Sequence, residues 1–321
     1  MRILVTGGAG FIGSHLCERL VELGHDVTAI DNLSTGRKSN LAKLSDIHGF
    51  KFVEGSILDT NQLSTLMDNA EYVFHLAAAV GVFNIVNNPL ASLLTNIRGT
   101  ENVLEAANAR KIPVFLTSSS EVYGKNISDS LKESDDRILG SPVTLRWSYS
   151  EAKAIDESLA YAYFKEKKLQ TRIVRFFNTV GPRQLGAYGM VVPRFIECAL
   201  SNESITIYGD GNQTRCFAHV FDVVDAVIAI AFAENTIGKV INIGNDFEIS
   251  IKDLAQKIIS QTDSRSEIVF VPYDEAYGHG FEDMERRVPS IELVRNLVGW
   301  KPQRDLSTII NDISTEMTQV S

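Results

Sequence analysis

Short apolar, β-branched runs alternate with longer stretches of helical period through the first half of the chain. Ile3-Leu-Val-Thr6 reads as a buried strand and Phe11 to Leu23 as an amphipathic helix. Strands follow at Val27–Ile30, Phe50–Val53 and Tyr72–His75, and Pro89 to Arg110 forms one long helical pattern. Ile112–Thr117, a helix from Tyr149 to Lys168 and the run Thr171–Phe176 close the series. Such alternation predicts a mostly parallel sheet covered by helices on both faces, an α/β fold of Rossmann type. After about Asn178 the regularity weakens, and Gly, Pro and aromatic residues crowd Gly181 to Pro193. The expected organisation is a dinucleotide-binding domain over 1–177, to which some later segments return, and a smaller substrate lobe over 178–321.

Composition narrows the class. Across 321 residues, 31 Lys+Arg stand against 40 Asp+Glu, a formal net charge of −9. With no Lys/Arg block the chain lacks the phosphate-neutralising patch of a nucleic-acid binder. An anionic small molecule is not excluded, because it responds to local donors rather than to the total charge. Cys17, Cys198 and Cys216 are far apart and odd in number, which suits a reducing compartment and argues against structural zinc. Glycines interrupt the apolar N-terminal run, unlike a signal peptide. No stretch reaches the ~18 consecutive apolar residues that span a bilayer. The expectation is a cytoplasmic protein with no membrane partner.

Gly8, Gly10 and Gly13 satisfy G-x-G-x-x-G between the first strand and the first helix. In that setting the first glycine permits a tight turn and the second lets a pyrophosphate approach the backbone. The third allows helix–strand contact, and the helix N-terminus offers free N–H groups. Asp31 ends the second strand 18 residues after Gly13, where a carboxylate binds ribose hydroxyls and repels a 2′-phosphate. That combination predicts NAD, with Arg37 and Lys38 near enough to leave room for NADP. A structural turn with a surface aspartate is the plainer alternative.

Tyr149 and Lys153, four residues apart on a helix, share one face. A nearby ammonium, with the positive nicotinamide, lowers a tyrosine pKa toward the working range and makes the phenol a proton acceptor. In isolation Tyr-x-x-x-Lys is an ordinary surface pair. Here a strand runs into Ser118-Ser119-Ser120-Glu121, at the sheet edge where α/β proteins bind ligands.

Thr6-Gly-Gly-Ala-Gly-Phe-Ile-Gly13, Asp31-Asn32, His75-Leu-Ala-Ala78, Ser118–Gly124, Tyr149-x-x-x-Lys153, Arg175-Phe-Phe-Asn178 and Gly181-Pro-Arg183 together resemble the extended short-chain dehydrogenase/reductases. More narrowly they resemble the NAD-dependent nucleotide-sugar epimerase/dehydratase family, and the likeness extends through Tyr208–Arg215 to Gly299-Trp-Lys-Pro302. The resemblance implies oxidation of the sugar at C4, with Tyr149 as base, Lys153 on the nicotinamide ribose, and Ser119 or Ser120 on the C4 hydroxyl. It implies Gly7, Gly10, Phe11, Ile12, Gly13, Asp31, Asn32, Ile57, Leu76, Ala77, Ala78 and Thr117 as further cofactor contacts. Asn178, Val192, Arg215 and Arg286 are implied as contacts to the sugar nucleotide. The chain departs from many relatives at Gly55-Ser56-Ile57, where an adenine-binding Asp is displaced to Asp59.

Three fates of a 4-keto sugar share this opening step. Hexose 4-epimerases resemble Ser-Ala-Thr at positions 119–121, whereas this chain has Ser-Ser-Glu. The dTDP-glucose 4,6-dehydratases carry Asp-Glu at 120–121, so Ser120 removes their leaving-group acid. Arg146-Trp-Ser-Tyr149, Gly189-Met-Val-Val192 and Gly278 to Ile291, including Arg287, resemble uronate decarboxylases, in which Arg287 matches a candidate proton donor. UDP-glucuronate decarboxylation is therefore the leading expectation. A 4-epimerase, a 4,6-dehydratase using Glu121 as base and a non-catalytic NAD-binding module are the alternatives. The family resemblance also implies a homodimer through the helices at Pro89–Arg110 and Tyr149–Lys168, with Leu93, Ile97, Tyr161 and Phe164 at the contact or in internal packing.

Overall fold

The computed structural model describes residues 1–81, 87–186, 190–272, 275, 284 and 286–320. Gly189 and most of the stretch from Gly278 to Glu285, part of the decarboxylase resemblance, lie outside them. The first half is built of β1 (Arg2–Thr6), α1 (Phe11–Glu22), β2 (Asp26–Asp31), β3 (Phe50–Glu54), α2 (Thr60–Met67) and β4 (Tyr72–His75). It continues with α3 (Pro89–Arg110), β5 (Val114–Ser119), α4 (Ser148–Lys167) and β6 (Thr171–Phe176). The expected strand at Ile112–Thr117 thus starts and ends two residues later. Pro113 has no N–H to give the ladder, and pairing with β6 carries β5 on through Ser118 and Ser119.

The sheet has seven parallel strands, the outermost being β11 (Val240–Ile243), in the order β11-β6-β5-β4-β1-β2-β3. Strand order reverses between β1 and β4, so the loops after these strands open a crevice at their C-terminal ends. Two-residue periodicity divides the core. Ile3, Val5, Phe74 and Phe115 face α1 and α6 (Val220–Phe232), whereas Leu4, Val73 and Leu116 face α2, α3 and α4.

The second lobe has its own core. α5 (Val191–Leu200), α7 (Ile251–Gln261) and α9 (Leu306–Val320) pack Val192, Phe195, Leu254, Ile258, Ile309 and Ile313 together. α8 (Glu292–Val298) instead returns to the first lobe and buries Val294 there. Two short parallel pairs accompany it, β7 (Thr179–Val180) with β10 (Ala218–His219) and β8 (Ile205–Tyr208) with β13 (Ile268–Val271). Three further short strands matter for the site: β9 (Thr214–Cys216) pairs antiparallel with β12 (Glu248–Ser250) and parallel with β14 (Arg286–Arg287). Among the described residues no helix is long and apolar enough to cross a membrane. Of the residues expected at a dimer contact, Leu93, Ile97 and Phe164 are half-buried within the chain, and Tyr161 is exposed.

Candidate active site

A cleft of about 720 Å³ runs from the β1–α1 turn across the sheet edge to the second lobe. The dinucleotide half is shaped by glycines, with one role moved. The left-handed residue of the turn is Gly7 (φ +72°), not Gly8, and a Cβ there would meet the Ala77 nitrogen at 2.7 Å. Gly8 instead makes room for the Ala29 side chain, and a Cβ on Gly13 would run into the Gly7 carbonyl oxygen. Gly10 caps α1 in extended conformation without a side-chain bond, leaving the helix N–H groups open to a pyrophosphate.

Asp31 lies at the far end of this half, largely buried. Its carboxylate accepts N–H bonds from Ala9 (3.0 Å) and Leu33 (2.8 Å). Lys38, weighed as an opening to NADP, pairs with Glu54 at 2.8 Å and is absent from the cleft wall among the described residues. Asn32, Ile57, Leu76, Ala77, Ala78 and Thr117 line the same half with Phe11 and Ile12. Ser56 lines it where relatives carry aspartate, while Asp59 caps α2 by accepting from Asn61 and Gln62. The displaced acid is a helix cap. These residues fit a dinucleotide: three cradle positions admit no Cβ, one helix end offers donors, and one acid lines the far end, where it could take ribose hydroxyls.

The chemistry-bearing half is organised by β5 and α4. Tyr149, Lys153 and Glu157 follow at four-residue spacing along α4. Glu157 anchors the stripe, accepting from Ser118 Oγ at 2.5 Å and taking both ends of the Arg175 guanidinium at 2.9 and 2.8 Å. The next two serines then diverge. Ser119 hydrogen-bonds the Tyr149 phenol, whereas Ser120 accepts from Arg287 Nη1 at 3.2 Å. Of the two serines, Ser119 is therefore the one beside the tyrosine.

Glu121 sits between two guanidinium groups. Its Oε2 meets Arg146 Nη1 at 2.5 Å and its Oε1 meets Arg287 Nη1 at 2.7 Å, all three side chains being at most 13% exposed. Although burial acts to raise it, the two cations hold its pKa down to about 2. Arg146 was absent from the expected site residues. Its signal was available, because it precedes Tyr149 by three residues, one turn along the chain.

Arg287 reaches the site because β14 pairs beside β9 with Arg287 opposite Arg215, and both line the cleft. Arg286, expected to hold substrate, is turned out of it. Its guanidinium grips both oxygens of Glu248 at 2.7 and 2.8 Å on the exposed side of the same strands. Asn178 and Val192 line the substrate half, and Asn178 Nδ2 donates to the Cys216 carbonyl at 3.1 Å. Among the described residues the cleft is lined by the cations Arg146, Lys153, Arg194, Arg215 and Arg287 against Asp31 and Glu121. An acidic protein thus carries a cationic cleft.

The chain's own groups act on Tyr149 in the direction opposite to that expected of Lys153 together with a nicotinamide. Lys153 Nζ donates to the Thr117 carbonyl at 3.0 Å and to the buried Asp156 carboxylate at 3.2 Å. Its charge is spent on that ion pair. The Tyr149 pKa is pushed up instead, by burial first and then by the carboxylates of Glu121 and Asp156, against the Ser119 bond and the charge of Arg287.

The family model for the NAD-dependent epimerase/dehydratase family matches residues 3–244. The chain belongs to this family. It is an enzyme, and its cofactor is NAD. A UDP-N-acetyl-α-D-glucosaminuronate decarboxylase of Bacillus cytotoxicus is 43% identical over 94% of this chain and 92% of its own length. UDP-glucuronic acid decarboxylase 1 of Danio rerio is 36% identical over 97% of this chain and 71% of its own. Among solved family structures, a UDP-glucuronic acid 4-epimerase from Bacillus cereus, in complex with UDP-glucuronic acid and NAD, superposes with a TM-score of 0.90. It is 30% identical, and the match covers all of both chains. A dTDP-glucose 4,6-dehydratase from Bacillus anthracis, at 24% identity, shares the fold (TM-score 0.87, covering 99% of this chain and 97% of that one).

Proposed function

We propose that this enzyme decarboxylates a UDP-linked hexuronate, glucuronate or N-acetylglucosaminuronate. The observation that carries this reading is Glu121 locked between Arg146 and Arg287 beside the Tyr149 phenol. Expelling water from C6 requires a leaving-group acid, which Ser120 does not supply, and a base, for which a carboxylate held at a pKa of about 2 between two guanidinium groups is poorly suited. A guanidinium in the cleft wall suits a substrate carboxylate. The relatives named as uronate decarboxylases support the same reading.

The chemistry that NAD supplies when bound is reversible two-electron uptake from C4. Tyr149 takes the C4 hydroxyl proton, with Ser119 holding the phenol in place. Once C4 is a carbonyl, the C5 carboxylate is β to it, and the C5–C6 bond breaks to release carbon dioxide. The electron pair moves onto the C4 oxygen, where the Tyr149 hydroxyl hydrogen-bonds it; it returns to C5 with a proton from water, and Tyr149 gives its proton back to the C4 oxygen as the two electrons return to C4. Arg287 contributes its positive charge, which it shares with Glu121. Asn178 and Arg215 hold the sugar and diphosphate.

Incubation of the NAD-loaded enzyme with UDP-glucuronate and with UDP-N-acetylglucosaminuronate is expected to release carbon dioxide from one of them, read as product mass. An isomer of unchanged mass would make the protein an epimerase, and loss of water from UDP-glucose a dehydratase. No turnover with NAD still bound would make it a binding module.

We also infer a homodimer through α3 and α4. Leu90, Ile155 and Tyr161 on these helices are 69, 41 and 44% exposed. Light scattering is expected to give twice the chain mass, and a monomer at micromolar concentration would remove the inference.

A further inference from the structure

Behind the catalytic pair runs a buried polar chain that the mechanism above does not use. Lys153 Nζ binds Asp156 Oδ2, and the Thr100 hydroxyl on α3 turns to the same carboxylate. Thr100 Oγ1 meets His75 Nε2 at 3.1 Å, and His75 Nδ1 meets Thr6 Oγ1 at 2.7 Å in the strand that feeds the glycine turn. Lys153 is 2% and Asp156 0% exposed. Burial holds His75 neutral, its pKa lowered to about 3, so no cation besides Lys153 enters this chain.

An ammonium has three donors. Two of those of Lys153 are committed, to the Thr117 carbonyl and to Asp156, which leaves one for the cleft that Lys153 lines. A carboxylate three residues on, fully buried, is a costly group to keep unless it does something for its partner.

We propose that Asp156 is a positioning residue for catalysis: it fixes Lys153 toward the cofactor and cancels its charge, so that Tyr149 remains a protonated phenol until the nicotinamide cation arrives. The inference rests on Tyr149 as the C4 proton acceptor. The groups acting on Tyr149 are Asp156 on its own helix, Glu121 after β5, Arg287 on β14 and the neutral Ser119, with Lys153 one turn along the same helix. Those facing Asp156 are Lys153, Thr100 and, next along α4, Glu157. Asp156 is one of the two carboxylates that raise Tyr149; burial raises the Asp156 pKa in turn, and the Lys153 ammonium beside it opposes that rise. A base set in this way ionises only in the loaded enzyme.

Two variants test this, read as the pH dependence of NAD reduction when UDP-glucose or a UDP-hexuronate is added to the NAD-loaded protein. This readout needs only oxidation at C4. Retained reduction without carbon dioxide release would count against the decarboxylase reading alone. In Asp156→Asn the negative charge goes while the hydrogen bond to Lys153 survives. The acid limb of kcat/KM is expected to move down by about one pH unit, as loss of a nearby charge does. Lys153→Met alone leaves Asp156 unpaired beside the phenol. Adding Asp156→Asn to it is expected to restore activity about tenfold at neutral pH, one unit of tyrosine pKa. A merely structural aspartate would give additive losses. An unmoved limb in a folded Asp156→Asn protein overturns the proposal, and so does a double variant no more active than Lys153→Met. The double variant buries no lone charge and serves if the single one does not fold.

Discussion

Tyr149→Phe is expected to lower turnover of the active sugar nucleotide by roughly 10²- to 10⁴-fold, the range for losing a general acid–base group. The ring stays, so the cleft keeps its shape. What goes is the hydroxyl that takes the C4 proton and that Ser119 holds. The glycine cradle and Asp31 lie at the other end of the cleft, so NAD should remain bound, as absorbance of the cofactor released on denaturation would report. Turnover like that of the native enzyme would take Tyr149 out of the chemistry.

Glu121→Gln acts on both stability and function. The amide keeps the shape but leaves Arg146 and Arg287 facing each other with no anion between them. Removing one partner from a buried ion pair costs about 3–5 kcal/mol, and urea unfolding at pH 7 should show a loss of that order. The pH dependence follows from the direction of the shift. Glu121 has a pKa of about 2 when folded and about 4.3 when unfolded. Its stabilisation is complete above the unfolded value and disappears as pH falls toward 2. The gap between native and variant proteins should therefore close as pH falls below about 4. A gap constant from pH 7 to pH 3 would mean that the glutamate is not held by charge.

The parts of the site that were legible in the sequence are local. Tyr149 and Lys153 meet because helical geometry aligns residues four apart, and the glycine turn follows from one strand running into one helix. Even there, the pattern does not say which glycine takes positive φ. Gly7 and Gly8 are equivalent on paper, and only the backbone at Ala77, 70 residues on, distinguishes them. The arginines were harder. Adjacent strand residues face opposite sides, and whether Arg286 or Arg287 enters the cleft depends on the register of β14 against β9. Asp156 is not legible in the sequence, because a charged residue three after a lysine reads as a surface pair. Its burial comes from packing of α4 on α3, where the Thr100 hydroxyl meets its carboxylate.

The far edge of the seven-stranded sheet is β11, whose residues follow β6 by more than sixty positions and come after much of the second lobe. A chain emerging from a ribosome therefore cannot complete the cofactor domain until residue 243 is out, by which time α5 and α6 have already been made. Until then β6 presents an unpaired apolar margin to the cell. Weaving the two lobes together thus delays closure of this sheet edge until late in synthesis.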